Sequence, residues 1–201
     1  MEEIMGKFIL FQLLLGLLIV SGCAKNTELV QACGNSLRGD VFCEVSTVGS
    51  VPQGYADLLV VSSLKTHKPG YHHPDEKFHG TSDFKLLINI DGQAGFIVGS
   101  LGKENIEPRR LRDPEAGDGI RYQFRKNLRM KAGTHKIVVV IPDDEIVEER
   151  ELTLTGGSVN ILVLEPVYGT KRSGGRMTTM IDKDFYEGIE GFRMILNGKT
   201  L

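Results

Sequence analysis

The chain of 201 residues has no tryptophan, only three cysteines and no excess of charge of either sign. Its 24 Lys+Arg residues are nearly balanced by 26 Asp+Glu residues, which gives a formal net charge of −2. Affinity for a phosphate backbone requires an excess of cationic side chains, so this balance argues against nucleic acid as a partner. The lack of tryptophan also argues against an aromatic cage for a cationic ligand.

A long hydrophobic run is missing as well. The apolar stretch 8–20 has thirteen residues, whereas a helix needs about 20 residues to span the hydrocarbon core of a membrane. Its length suits the h-region of an export signal peptide, and a retained membrane helix is the alternative interpretation. Glu2 and Glu3 are unusual at the start of such a signal, and a true start at Met5 would restore a basic n-region.

The apolar stretch leads into the run Val20-Ser21-Gly22-Cys23. Small residues at the two positions before a cysteine, preceded by a branched apolar residue, resemble the lipobox of bacterial lipoprotein precursors. The resemblance implies that residues 1–22 are a cleaved signal peptide, that Cys23 carries a diacylglyceryl thioether, and that the new amino terminus is acylated. It implies a lipid-anchored protein of the bacterial cell envelope. Ala24 in place of an aspartate is similar to lipoproteins of the outer membrane, which favours the periplasmic face of that membrane.

Lipid on Cys23 leaves two cysteines, Cys33 and Cys43, in an exported protein. An even pair in an oxidising compartment favours a disulfide, so we expect these two residues to be linked. Cys33 is also the alternative lipidation site, because it follows Val30-Gln31-Ala32, although Gln31 fits the lipobox pattern poorly.

The remaining chain divides into three predicted parts. Residues 23–54 are expected to be a lipidated tether that contains the disulfide loop, and residues 55–167 are expected to be the folded domain. Residues 168–201 are predicted to be a basic, glycine-rich linker and a C-terminal extension. The apolar run Phe192–Leu196, followed by Asn197-Gly198, indicates that this extension adds a small hairpin or a strand to a sheet edge.

Short strand patterns fill the predicted domain. The run Leu58-Leu59-Val60-Val61 is typical of a strand buried on both faces, Asp91-Gly92 predicts a hairpin turn, and Pro142-Asp143-Asp144 is predicted to end a strand. Seven or so strands separated by turns favour an all-β, antiparallel β-sandwich over an α/β fold, with closure as a barrel as the alternative. The predicted core comprises Leu59, Val61, Leu87, Phe96, Phe124, Val138, Val140, Ile161 and Val163.

From about Phe84 to Tyr168, the order of features resembles the PEGA-type and related immunoglobulin- or transthyretin-like modules of bacterial envelope proteins. In those modules an apolar strand leads to Asp-Gly, as at Asp91-Gly92, and a later turn such as Ala132-Gly133-Thr134-His135 opens the strand that runs into a Pro-containing corner. The Pro-Glu-Gly-Ala sequence that names the family is absent. The resemblance therefore implies a fold class and assigns no functional residue.

Four of the five histidines, together with Asp75 and Glu76, form the one cluster in the sequence with metal-ligand chemistry. These histidines are His67, His72, His73 and His79. Imidazole and carboxylate groups bind zinc, copper or nickel, but Pro74 obstructs a helix that would align ligands, and the spacing matches no zinc motif. We interpret the cluster first as a solvated polar loop, with a structural metal site and a catalytic metal as the alternatives. His135 is interpreted as a histidine that caps the end of a strand.

Motifs for catalysis are missing from the sequence. It has no Gly-x-Ser-x-Gly elbow, and lipid and a disulfide account for the cysteines. The first hypothesis is therefore a lipid-anchored binding or structural module of the cell envelope, without catalytic activity or cofactor, whose partners are the membrane and another envelope protein. The alternative is a periplasmic metal-binding protein or a metal-assisted hydrolase that uses zinc or copper in the His67–His79 loop.

Overall fold

The computed structural model describes residues 33–46, 50–70, 78–108, 113–169, 184–186 and 188–201. Strands make up 62% of these residues, so the predicted all-β fold is confirmed. The strands are β1 (Phe42–Glu44), β2 (Tyr55–Thr66), β3 (Lys85–Ile90), β4 (Gln93–Val98), β5 (Ser100–Ile106), β6 (Gly117–Lys131), β7 (Gly133–Ile141), β8 (Ile146–Leu154), β9 (Val159–Tyr168), β10 (Ile189–Leu196) and β11 (Lys199–Thr200). A short 3-10 helix, Pro142–Asp144, connects β7 and β8.

Within the described ranges, the strands form two sheets. Sheet A has the order β1-β6-β2-β9-β10-β11, and β5 also pairs with β6. Sheet B has the order β4-β3-β7-β8. The pairing is antiparallel except between β2 and β9, which run parallel in the middle of sheet A. Apolar side chains from both sheets meet in one main core, which gives the sandwich-like architecture that the strand pattern predicts.

The core lies on the opposite face of β2 and β9 from the predicted one. Leu58, Val60, Leu162 and Leu164 are fully buried in the main core, so their neighbours in sequence point away from it. The core assignment of Val61, Ile161 and Val163 is therefore wrong, whereas Leu59 is buried, as predicted, but lies outside the main core cluster. Both faces of these strands carry apolar residues, and alternation alone does not tell which face is inside.

Four further predicted core residues lie outside the main core. Leu87, Val138 and Val140 are buried, but they form a second, smaller cluster on the outer face of sheet B. Phe96 is 51% exposed in the edge strand β4, so its core assignment is wrong. Phe124 lies in the main core, as predicted.

Two hairpin turns have the backbone that their sequences predict. Asp91 (φ 48°) and Gly92 (φ 91°) join β3 to β4, and Asn197 (φ 49°) and Gly198 (φ 82°) join β10 to β11. Positive φ at both central residues is typical of a type I′ turn, which Asn-Gly and Asp-Gly favour. The second turn follows β10, which pairs with β9, so the C-terminal extension does contribute strands to sheet A.

The sandwich also includes residues from the predicted tether. β1 pairs with the end of β6, and the backbone N–H groups of Val41 and Phe42 donate to Oε1 of Gln93 at 2.7 and 3.0 Å. The Asn89 side-chain amide donates to the Cys33 carbonyl at 2.9 Å. Residues 33–46 thus contact both sheets, and the ordered body begins before Tyr55.

The structure does not form the expected disulfide, and Cys33 and Cys43 are both free thiols. Cys33 packs against the small cluster around Leu87 on sheet B. Cys43 lies in β1 of sheet A, opposite Arg129, and is exposed. The chain between the two cysteines passes from one sheet to the other, which explains why their thiols do not meet.

Candidate functional site

Three elements meet at one end of the sandwich and bring polar side chains together. His67 directly follows β2, His79 lies in the turn that precedes β3, and Asp144 ends the 3-10 helix between β7 and β8. Pro142 begins that helix, where its fixed φ suits the first turn. Two of the four predicted metal ligands, His67 and His79, therefore come together, whereas His72 and His73 lie outside the described residues.

The two imidazole rings are in direct contact. Nδ1 of His79 lies 2.9 Å from Nε2 of His67, and the ring centroids are 4.7 Å apart. His67 and His79 are only 6% and 4% exposed. For these two residues, the interpretation as a solvated loop is wrong.

The other nitrogen of each ring contacts an oxygen atom. Nε2 of His79 lies 3.1 Å from both carboxylate oxygens of Asp144, whose side chain is fully buried. Nδ1 of His67 lies 3.0 Å from the Lys68 carbonyl oxygen. A carbonyl or an ionised carboxylate only accepts hydrogen bonds, so we assign a proton to each of these outer nitrogens.

Aromatic side chains hold the histidine pair in place. The ring of His79 meets the ring of Phe84 edge to face, with centroids 5.0 Å apart. Phe84 in turn packs against Tyr122, whose hydroxyl donates to the Thr81 carbonyl at 2.7 Å. Burial raises the pKa of Tyr122 to about 12, so this phenol stays protonated at neutral pH. The pair thus borders the main core on one side.

A third buried histidine has similar oxygen partners but no second imidazole. Nδ1 of His135 lies 2.7 Å from the Asp91 carboxylate, and Nε2 lies 2.8 Å from the Lys131 carbonyl. Partial burial on its own would raise the pKa of Asp91, but hydrogen bonds from His135 and from the Lys136 backbone hold it below its usual range. These contacts tie the start of β7 to the hairpin turn, in agreement with the predicted strand-capping role.

A second polar cluster surrounds Glu115 on sheet A. Arg121 binds the Glu115 carboxylate through two hydrogen bonds of 2.9 Å, and the Tyr168 hydroxyl donates to it at 2.8 Å. Burial on its own would raise the pKa of Glu115, but these hydrogen bonds and the Arg121 charge lower it. The fully buried Lys65 donates to the Glu115 and Gly117 carbonyls at 2.9 and 2.6 Å. Its buried ammonium anchors the segment that leads into β6.

Neither cluster gives a complete metal centre among the described residues. No group of three or more His, Cys, Asp or Glu side chains in that part of the chain converges on one point. Sequence reasoning missed Asp144 as a partner of the histidines, although it had identified the acidic turn that contains this residue. The sequence signal at this position is an acidic pair that follows a proline. It predicts a turn, but it does not predict which residues the turn contacts.

In comparisons with protein-family models, curated proteins and solved structures, no match to this chain was found. Across the described ranges, no helix combines the length and the apolar character that crossing a bilayer requires. We therefore infer function from the chain's own side chains.

Proposed function

We propose that the protein is a lipid-anchored module of the bacterial cell envelope that binds another envelope protein and catalyses no reaction. The lipobox ending at Cys23 supports the lipid anchor, and Ala24 after it supports a location at the periplasmic face of the outer membrane. The observation that carries the binding role is an apolar surface on the outside of sheet A. We call it the outer apolar face, and it consists of Leu59, Val61, Ile161, Val163 and Ile195.

The residues of the outer apolar face are neighbours across three strands. Leu59 in β2 lies opposite Ile161 in β9, and Val163 lies between Val61 and Ile195. Ile161 is 43% exposed, although it stands in a central strand of the sheet. Val61, Val163 and Ile195 are half-buried and Leu59 is buried, so Ile161 is the exposed centre of this face. The solvent side of such a sheet usually carries polar residues, and an apolar side chain exposed there is a candidate contact for a protein partner.

Polar side chains of β6 border the outer apolar face. Asn127 and Arg125 in β6 lie opposite Leu59 and Val61. The side-chain amide of Asn127 is buried and has no hydrogen-bond partner among the residues that the structure describes, which costs about 1–3 kcal/mol for such a group. A partner that covers the face would bury its aliphatic side chains further, and each such side chain is worth about 1.5–3 kcal/mol when fully buried.

The anchor is tested by the mass and the location of the protein. The purified protein should begin at Cys23 and carry lipid, and a Cys23→Ala variant should leave the membrane fraction, because two or more acyl chains are needed for stable anchoring. A Cys43→Ala variant is the matched control and should stay with membranes. Full retention of the Cys23→Ala variant in membranes would refute the anchor.

The binding role is tested by co-purification from cross-linked envelopes. The wild-type protein should recover a defined partner, and an Ile161→Glu variant should lose it because a charge then replaces the apolar contact. Phe96→Glu is the matched control, because Phe96 is similarly exposed but lies on sheet B. Equal recovery by the wild type and the Ile161→Glu variant would contradict the proposal.

A second candidate function is a periplasmic metal-binding protein, or a metal-assisted hydrolase, that uses the His67–His79 loop. One observation favours metal binding: two of the four predicted ligands, His67 and His79, come together in the fold, with a hydrogen bond of 2.9 Å between their ring nitrogens. Hydrolysis would additionally require an open coordination position beside a cleft for the substrate.

A further inference from the structure

Three arginines lie at intervals of four residues on the outward side of β6, which is also the side of the outer apolar face. They are Arg121, Arg125 and Arg129. Successive side chains of a strand point to opposite faces, and even-numbered residues of β6 such as Phe124 enter the main core, so the three arginines share the outer face. The middle arginine, Arg125, lies opposite Val61 of the outer apolar face.

Carboxylates of the chain itself bind the first and the last of these arginines. Arg129 donates to Asp57, its neighbour in β2, at 2.7 and 3.0 Å. Arg121 donates to Glu104 at 2.8 Å and to Glu115 through two hydrogen bonds of 2.9 Å. The side chains of Arg121 and Arg129 are only 13% and 21% exposed. Each of these two largely buried cations is therefore compensated by at least one carboxylate.

The middle arginine has no such compensation. Arg125 is exposed, and it forms no ion pair within the part of the chain that the structure describes. Where Asp57 faces Arg129, the aliphatic Val61 faces Arg125. Water solvates the guanidinium of Arg125 in the free protein. A partner that covers the outer apolar face removes this water, and a desolvated charge is costly unless an opposite charge pairs with it.

We infer that the partner places an aspartate or glutamate carboxylate on Arg125 and an apolar side chain on Ile161. The inference rests on the proposed function and states the chemistry of the partner. Arg125 and Ile161 are two strands apart across the sheet and two residues apart along it, which corresponds to about 12 Å. An extended segment covers this distance with about four residues, and side chains four positions apart lie on the same side of it.

Charge complementarity favours a different protein over a second copy of this chain. The two carboxylates that lie beside the outer apolar face in the described ranges are already paired, Asp57 with Arg129 and Glu165 with Arg193. A second copy that docks through the same face therefore brings another Arg125 and no free carboxylate. Like charges that face each other across an interface are unfavourable, so the partner is a protein with an acidic residue in its contact surface.

The test uses a zero-length carbodiimide crosslinker on intact envelopes that contain the Arg125→Lys variant. The crosslinker activates a carboxylate, the new amine at position 125 displaces the activated oxygen to form an amide, and the carbodiimide leaves as a urea. In parallel, a photoreactive phenylalanine analogue at Ile161 identifies the bound protein. Mass spectrometry should find position 125 linked to an aspartate or glutamate of the same protein that position 161 captures.

The matched control is Arg193→Lys, on the same side of the sheet. Arg193 lies beside Glu165, with 3.1 Å between Nη1 and Oε2, so the amine at this position should link to Glu165 within the chain and not to the partner.

A second measurement tests the contribution of the charge. Arg125→Gln should lower the yield of the position-161 product by more than about fivefold, which is the most that an exposed ion pair contributes, because the partner covers this pair. Arg193→Gln should leave the yield unchanged. Since Arg125 forms no ion pair in the described structure, Arg125→Gln should melt at the wild-type temperature, so a lower yield reports on binding.

The outcomes separate the inference from the proposed function. If position 161 captures a protein, but position 125 links to no carboxylate of it and Arg125→Gln leaves the yield unchanged, the binding role stands and the inference is wrong. A link from position 125 to a second copy of the chain would also overturn the inference. If position 161 captures no protein, the proposed function and the inference both fail.

Discussion

Nε2 of His79 lies 3.1 Å from the carboxylate of Asp144, although the two residues are 65 positions apart in the sequence. This contact joins the turn before β3 to the 3-10 helix between β7 and β8, and both groups are buried. It fixes which nitrogen of His79 faces His67, and the histidine pair therefore depends on a residue outside the histidine cluster.

We predict that an Asp144→Ala substitution destabilises the fold. The change leaves the Nε2–H of His79 without this acceptor in a buried position, which typically costs about 1–3 kcal/mol. Urea unfolding monitored by circular dichroism should show the loss. Glu145→Gln, at the exposed neighbouring position, is the control and should change the free energy of unfolding by no more than about 0.5 kcal/mol. Equal stabilities for the two variants would show that the contact contributes nothing.

The Glu115 cluster predicts how stability depends on pH. The folded protein lowers the pKa of Glu115 below its ordinary value of 4.5, so the carboxylate stabilises the fold fully above that pH. Stability should decline as the pH falls below about 4.5 and through the folded pKa, because unfolding then takes up a proton. Urea unfolding at a series of pH values should show a shallower decline for Glu115→Gln than for wild type.

The matched control for this pH dependence is Glu165→Gln. Glu165 pairs with Arg193 on the surface, where both side chains are about half exposed, and such pairs contribute little. The free energy of unfolding of Glu165→Gln should decline with falling pH in parallel with that of wild type. If Glu115→Gln also runs parallel to wild type, the Arg121 and Tyr168 contacts do not stabilise the carboxylate.

The free thiols predict a specific alkylation pattern in the native protein. Cys43 is exposed and should react readily with iodoacetamide. Burial, followed by the nearby Glu149 charge, raises the pKa of Cys33, so its thiolate is scarce and the thiol should react more slowly. Peptide mapping without reduction measures both rates. Recovery of the two cysteines as one linked peptide would instead support the disulfide that the cysteine count predicts.

The fold class could be predicted because turns and strand patterns are local signals. Asp91-Gly92 and Asn197-Gly198 determine their hairpins through positive φ at two adjacent residues, independently of the rest of the chain. The face of β2 that enters the core could not be predicted. Leu58 and Leu59 are equally apolar, and only packing against sheet B selects Leu58.

The candidate site could be predicted only in part. The density of histidines identified His67 and His79, which are 12 positions apart and contact each other. Asp144 comes from a distant turn, so its role depends on how sheet B places the β7–β8 connection. Burial of the pair was also missed, because a polar sequence does not reveal that tertiary contacts enclose it.

The most direct measurement of the central claim is site-specific photo-crosslinking in intact cells. A photoreactive phenylalanine analogue replaces Ile161 on the outer apolar face or, as the matched control, Phe96 on sheet B. The proposed function predicts a discrete crosslinked product with one envelope protein from position 161 and none of that product from position 96. Absence of any protein crosslink at position 161, or the same product from both positions, would contradict binding through the outer apolar face.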